Sequence, residues 1–276
     1  MRPHTSYLVC GTPRSGSTLL CEALINTGIA GLPEEYFLPG NEPIWRERWG
    51  TSTYAEYLAR TIEECTTSNG VFGVKMMWGY FDNFVSKVRQ LPDYKDGQFP
   101  VHTLMQTVFP NLHYIWIKRR DVVRQAVSHA KARQTDVWAV KTERTPRPAH
   151  KPVFSFMQID FMVQEIEAHE AAWQQYFAEN GIQPLVVVYE DLVSSYEETA
   201  LQALQYLGIP DIERVEFASR SLKKQADEES EQWVQRYQQL RSRQRRYRLL
   251  SHANRRLLAL LLSTRPGLFI SKKRGH

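Results

Sequence analysis

The stretch Tyr7-Leu8-Val9-Cys10-Gly11-Thr12-Pro13-Arg14-Ser15-Gly16-Ser17-Thr18-Leu19-Leu20 decides the fold class of this chain. Four apolar residues stop at Gly11, and a short loop with Pro13 and Gly16 follows. Leu19, Leu20, Ala23 and Leu24 then recur at helical spacing. That order reads as strand, tight loop, helix. Outward from it, apolar strand-like runs recur at Val71–Val74, Leu112–Ile117 and Leu185–Val188. Each follows a turn signal: Asn69-Gly70, Pro110-Asn111, and Gly181 to Pro184. Helical patterns fill the intervals at Tyr54–Cys65, Tyr80–Gln90, Val122–Arg133, Phe156–Phe177 and Tyr196–Leu207. Strands alternating with helices predict an α/β fold: P-loop-like, three-layered, with a central parallel sheet flanked by helices.

Gly11 and Gly16 keep the glycine spacing of a P-loop, and Thr18 stands at its Ser/Thr position. Glycines there let backbone N–H groups approach an anion, and the helix start adds positive dipole. Ser17, however, occupies the place of the P-loop lysine, and the cation is Arg14, inside the loop. A planar guanidinium suits a phosphate or sulfate oxygen. No strand ends in an Asp that would hold Mg²⁺ for a nucleoside triphosphate. Arg14, Ser15, Gly16, Ser17 and Thr18 are therefore candidate anion-binding residues. The alternative is a P-loop-type nucleotide-binding protein or small-molecule kinase.

A second cluster, Lys118-Arg119-Arg120-Asp121, ends the third apolar run. Cations at the carboxyl edge of a parallel sheet face the ligand crevice. Asp121 is placed to cap the next helix, and Ser128 lies two turns along it, within reach of an anion held by Arg119. Pairing of Arg119 and Arg120 with acidic surface residues is the competing reading. Lys75 follows the run Val71–Val74 and is either a crevice residue or a rim charge. Trp78 and Trp138 offer stacking faces for a sugar or adenine, or core packing. His102, His113 and His129 show no ligand spacing.

Taken together these residues resemble the sulfotransferases that use 3′-phosphoadenosine-5′-phosphosulfate (PAPS), and most closely the Stf0 group, whose known member sulfates trehalose at the 2-position. The matching segments are Arg14–Leu20, Gly28–Phe37, Gly73–Trp78, Arg119–Ser128, Gln134–Trp138 and Gln225 to Tyr237. The resemblance implies a sulfotransferase fold and transfer of a sulfuryl group from PAPS to a sugar-type hydroxyl (trehalose, another glycan or a glycolipid), leaving PAP. It implies that the loop grips the phosphosulfate, that Arg119 and Ser128 hold the 3′-phosphate, and that Gln225 lies in a closing loop. By position Glu35 matches the group's proposed general base, with Glu34 as its neighbour and competitor; partial burial against Tyr36 and Phe37 suits that role. A homodimer is implied, and no metal is needed.

Of the 276 residues, 42% are hydrophobic and 12% aromatic, enough for a substantial core. The net charge of +5 is unevenly spread: residues 241–276 hold eleven cations and no acid, so the other 24 cations face all 30 acids and the body carries −6. Nucleic-acid binding through a generally basic surface is excluded. The expected organisation is a sulfotransferase domain over 1–240 and a basic amphipathic extension over 241–276. Leu249, Leu250, Ala253, Leu257, Leu260 and Leu261 give that extension an apolar stripe, which either packs on the domain or rests on an anionic membrane. Three cysteines in no paired spacing argue against disulfides and zinc. With no signal-peptide pattern at its start, the chain reads as cytoplasmic, with peripheral membrane contact only if the tail rests on the membrane rather than on the domain.

Overall fold

The computed structural model describes residues 2–94, 99–140, 150–222 and 227–244. Among these are four strands: β1 (Thr5–Gly11), β2 (Val71–Met77), β3 (Leu112–Lys118) and β4 (Leu185–Val188). They form one all-parallel sheet in the order β2-β1-β3-β4. The helices between them are α1 (Ser17–Ile25), α2 (Glu42–Trp49), α3 (Tyr54–Glu64), α4 (Trp78–Arg89), α5 (Val101–Val108), α6 (Val122–Thr135), α7 (Phe156–Glu179), α8 (Tyr189–Ser194) and α9 (Tyr196–Tyr206). A further helical segment covers 228–244 and passes position 240 without a break.

Alternate strand residues feed opposite faces of the sheet, and both faces are buried. Leu8, Cys10, Phe72, Val74, Tyr114 and Trp116 pack with α3, α4, α5 and the end of α7. Tyr7, Val9, Val71, Ile115, Ile117 and Val187 pack with α1, α8 and α9. This is the expected three-layer α/β architecture. A third apolar cluster joins α6, the first half of α7 and Trp233, Val234 and Tyr237 of the C-terminal helical segment.

Two details of the sequence reading shift. β2 runs on to Met77, so Lys75 lies inside the strand, opposite Val9, rather than after its end. Helices α2, α5 and α8 fall in stretches without a marked pattern, each being eight residues or fewer. Among the described residues no helix is long and apolar enough to cross a membrane. Gln225 and the 245–276 part of the expected extension lie outside the described residues, as does most of the Pro-rich stretch after Trp138.

Candidate active site

The loop after β1 is held in a conformation that its sequence permits. Arg14 and Gly16 both have positive φ, 65° and 99°. At Gly16 a Cβ would stand 2.4 Å from Cδ2 of Tyr189, so only glycine fits. The Ser15 N–H donates to the Thr12 carbonyl at 3.1 Å and closes the turn. From beneath, α7 braces the loop: the Trp173 indole N–H donates to the Gly11 carbonyl at 3.0 Å, and the Thr12 hydroxyl donates to Glu170 at 3.1 Å. Gln125 of α6 donates to the Thr12 hydroxyl at 2.8 Å and to the Pro13 carbonyl at 2.9 Å. Burial raises the carboxyl pKa of Glu170 above its usual range.

Above the loop opens a cleft of about 760 Å³, lined by Arg14, Gly16, Ser17 and Thr18 from the loop and α1, and by Arg119 and Ser128 from β3 and α6. Six cations line it (Arg14, Arg119, Arg120, Arg124, Lys131 and Arg220) against four carboxylates, Asp121, Glu190, Asp227 and Glu231. Burial, and the positive charge of Arg119 beside it, pull Arg14 down to about 10. Desolvation also lowers Arg119, whose guanidinium lies over the Tyr189 ring at 4.6 Å and whose Nε has no hydrogen-bond partner among the described residues. Buried positive charge in excess, with a donor that makes no hydrogen bond and lies 4.0 Å from Glu190, suits an anion. α1 begins there with no side-chain cap, leaving its first N–H groups to the same anion.

A second cluster adjoins the loop through Thr18. The 31–35 segment lies along the free edge of β2: Gly31 has φ 71°, a Cβ there would meet the Gly73 nitrogen at 2.8 Å, and the Lys75 N–H donates to the Glu34 carbonyl at 3.0 Å. This docking sets Glu35 over the strand. Its Oε2 is 3.1 Å from Nζ of Lys75, and its Oε1 accepts from the Tyr80 hydroxyl at 3.2 Å. Lys75, only 5% exposed, also donates to the Thr18 hydroxyl at 3.3 Å. Burial would pull the lysine down, but Glu35, the Cys21 thiol and Glu34 outweigh it and leave it raised. Glu34 is exposed, while Tyr36 and Phe37 turn into the core.

The structure thus brings Arg14, Gly16, Ser17, Thr18, Arg119, Arg120 and Ser128 to one cleft and Glu35 and Lys75 beside it. The side chain of Ser128 hydrogen-bonds Arg14 rather than Arg119. Arg120 lines the cleft rim but is engaged by Asp191 at 2.7 Å. Ser15 is buried under the loop and does not line the cleft. Trp78 does not either; its ring meets Trp173 edge-on at 4.9 Å, while Trp138 sits on the cleft wall and its carbonyl accepts from Arg14. Sequence reasoning missed Tyr80, Glu170 and Trp173, whose roles depend on contacts across the fold. It also missed Lys131, held by Asp227 at 2.9 Å and Glu229 at 3.0 Å. Among the described residues no group of His, Cys, Asp and Glu is arranged to hold a metal ion.

Comparison with known proteins shows the family of the chain. The chain is 31% identical over 259 residues to trehalose 2-sulfotransferase of Mycolicibacterium smegmatis, covering 84% of this chain and 94% of that one. It is 30% identical over 256 residues to the enzyme of the same name from Mycobacterium tuberculosis, covering 84% and 93%. Among solved structures, the sulfotransferase from Alicyclobacillus acidocaldarius matches with a TM-score of 0.44 and 11% identity, over 83% of this chain and 88% of that one. The model of the family described as Stf0 sulphotransferase matches residues 6–240, and the chain belongs to that sulfotransferase family.

Proposed function

We propose that this sulfotransferase takes its sulfuryl group from PAPS and delivers it to a hydroxyl of a carbohydrate acceptor, trehalose being the first candidate because both curated relatives carry its name. The observation that carries the reading is the chain Glu35–Lys75–Thr18, which joins a carboxylate to the cation-lined loop within hydrogen-bonding distances of 3.1 and 3.3 Å. The residues fit the donor: the cleft offers an arginine pair, an uncapped helix start and an Arg119 Nε that makes no hydrogen bond among the described residues, its nearest carboxylate being Glu190 at 4.0 Å, to a polyanion with two anionic ends.

PAPS, when bound, supplies a sulfuryl group already attached to a phosphate leaving group. Arg14, Ser17 and Thr18 hold the anionic end and orient it. Arg119 and Ser128 hold the second phosphate. Glu35 accepts the proton of the attacking hydroxyl, the new O–S bond forms, and the old S–O bond to phosphate breaks. Lys75 stays protonated; it fixes the carboxylate and, through Thr18, stands next to where charge builds on the loop side. Every binding and proton-accepting group in this scheme is a side chain or backbone group of the protein.

Transfer of labelled sulfate from PAPS to trehalose and a panel of other sugars tests the reading. Product formation without added Mg²⁺, together with PAP binding, is expected. Phosphate transfer from ATP that requires Mg²⁺, with no affinity for PAP, would overturn it.

A further inference from the structure

Beyond the residues used so far, three buried polar atoms gather where α6 packs on α7: His129 Nδ1, Glu165 Oε2 and His169 Nδ1. None has a hydrogen-bond partner among the described residues. His129 is 4% exposed, and its Nδ1 stands 3.9 Å from Glu165 Oε2, beyond hydrogen-bond reach. Glu165 and His169 are four residues apart on α7 and so share one face. At one end the group meets α4, where a Cβ on Gly79 would lie 3.3 Å from the His169 ring. The next residue, Tyr80, is the one that touches Glu35. At the other end stands Trp138, 45% exposed, its ring 6.0 Å from that of His129. The cluster thus runs from Gly79, next in sequence to Tyr80, to Trp138 on the cleft wall.

Leaving a buried donor or acceptor unsatisfied costs about 1–3 kcal/mol, so three in one place favour any water or ligand group that hydrogen-bonds them. Their surroundings say of what kind. Arg14 and Arg133 act on His129 electrostatically, which disfavours a cation. The carboxylate of Glu165 disfavours an anion. Burial first, then those arginines and His169, push His129 down to about 4, so its imidazole is neutral near pH 7. What remains is a neutral ligand whose groups both donate and accept, which describes hydroxyls. Beside them the Trp138 ring offers the flat apolar face on which a sugar ring packs.

We propose that His129, Glu165 and His169, with the face of Trp138, form a subsite for hydroxyls of a polyhydroxylated acceptor other than the one that is sulfated. The inference rests on the carbohydrate reading above. In that arrangement the carboxylate of Glu165 accepts from one hydroxyl, the two imidazoles exchange hydrogen bonds with its neighbours, and the reacting hydroxyl is left facing Glu35.

Two measurements on the full chain test it. The first is calorimetric titration of trehalose, maltose, sucrose and glucose into protein saturated with PAP, for the wild type and for Glu165→Gln, His169→Ala and Trp138→Ala. Each substitution is expected to weaken the sugar Kd at least tenfold, and Glu165→Gln and His169→Ala, which lie off the cleft, are expected to leave the PAP Kd within twofold. The second is steady-state sulfate transfer, in which KM for the acceptor should rise at least tenfold in all three variants and kcat change less than threefold in Glu165→Gln and His169→Ala. Sugar Kd values unchanged in all three variants, or no sugar bound by the wild type, would overturn the subsite. Trp138 is at the surface, so Trp138→Ala keeps the test decisive if the other two fold poorly. Sugar binding lost in the variants, with no transfer from PAPS in the wild type, would leave the subsite standing and remove the transfer reading. Normal transfer and KM in all variants would do the reverse.

Discussion

Ser128 Oγ accepts a hydrogen bond from Arg14 Nε at 2.9 Å, tying the loop after β1 to the second turn of α6. With the Trp138 carbonyl, which also accepts from Arg14, the bond holds the guanidinium in place, and it connects the loop and α6 sides of the cleft. Ser128→Ala is therefore expected to weaken PAP binding about tenfold, the worth of one charge-assisted hydrogen bond. The thermal midpoint should hardly move, because the site is open to water. Calorimetric titration with PAP checks this, and an unchanged Kd counts against the role given to Ser128.

Replacing the carboxylate while keeping its shape isolates proton transfer. Glu35→Gln is expected to lower kcat by about 10²- to 10⁴-fold, the usual worth of a general base, with PAP affinity retained. Glu34→Gln, at the exposed neighbour, should change kcat less than threefold. If the two results were exchanged, Glu34 would be the base.

The loop glycine gives a stability test. Gly16→Ala adds a Cβ 2.4 Å from the Tyr189 ring and forces φ 99° on an alanine. The backbone component alone costs about 1–3 kcal/mol, and PAP binding should fall with it. In the double variant Gly16→Ala/Tyr189→Ala only the clash is relieved, so chemical denaturation should show partial recovery. Full recovery would mean that the positive φ carries no cost.

His129 predicts a pH dependence of stability. Its folded-state pKa of about 4 lies below the ordinary value of 6.5, mainly through burial. Between those values the unfolded chain binds a proton that the native chain does not, so stability is full above about pH 7 and is lost as pH falls toward 4. From pH 7.5 to pH 5 this group alone should remove about 2 kcal/mol. Urea unfolding at the two pH values, for the wild type and His129→Gln, measures it; an equal pH dependence in both proteins would exclude His129 as the cause.

Much of this was legible in the sequence because it is local. The strand–loop–helix of Tyr7–Leu20, the cap of Asp121 on the Arg124 N–H at 2.9 Å, and cations at the end of β3 all follow from short-range patterns. Lys75 lies beside the cleft, joined to it through Thr18, and inside its strand rather than after its end, because Met76 and Met77 continue an apolar run whose end the composition does not mark. What the sequence did not disclose depends on side chains far apart along it. Trp173 reaches Gly11 across 162 positions and Glu170 reaches Thr12 across 158, and no periodicity in α7 distinguishes these residues from its other apolar or acidic ones. Trp78 shows the converse: an aromatic residue in a family-like segment packs on the aromatic core and not on the cleft.

The bracing of the loop by α7 has a consequence for what the chain can tolerate. The same 24-residue helix carries Glu165 and His169 as well as Glu170 and Trp173, so one rigid rod sets the distance between the floor of the anion loop and the polar cluster beside α6. Substitutions along its outer face leave that ruler intact. A single residue inserted between Glu165 and Glu170 would turn the two ends by about 100° relative to one another and lengthen the rod by about 1.5 Å, taking either the loop's supports or the cluster out of register. Length, more than composition, is what α7 has to conserve.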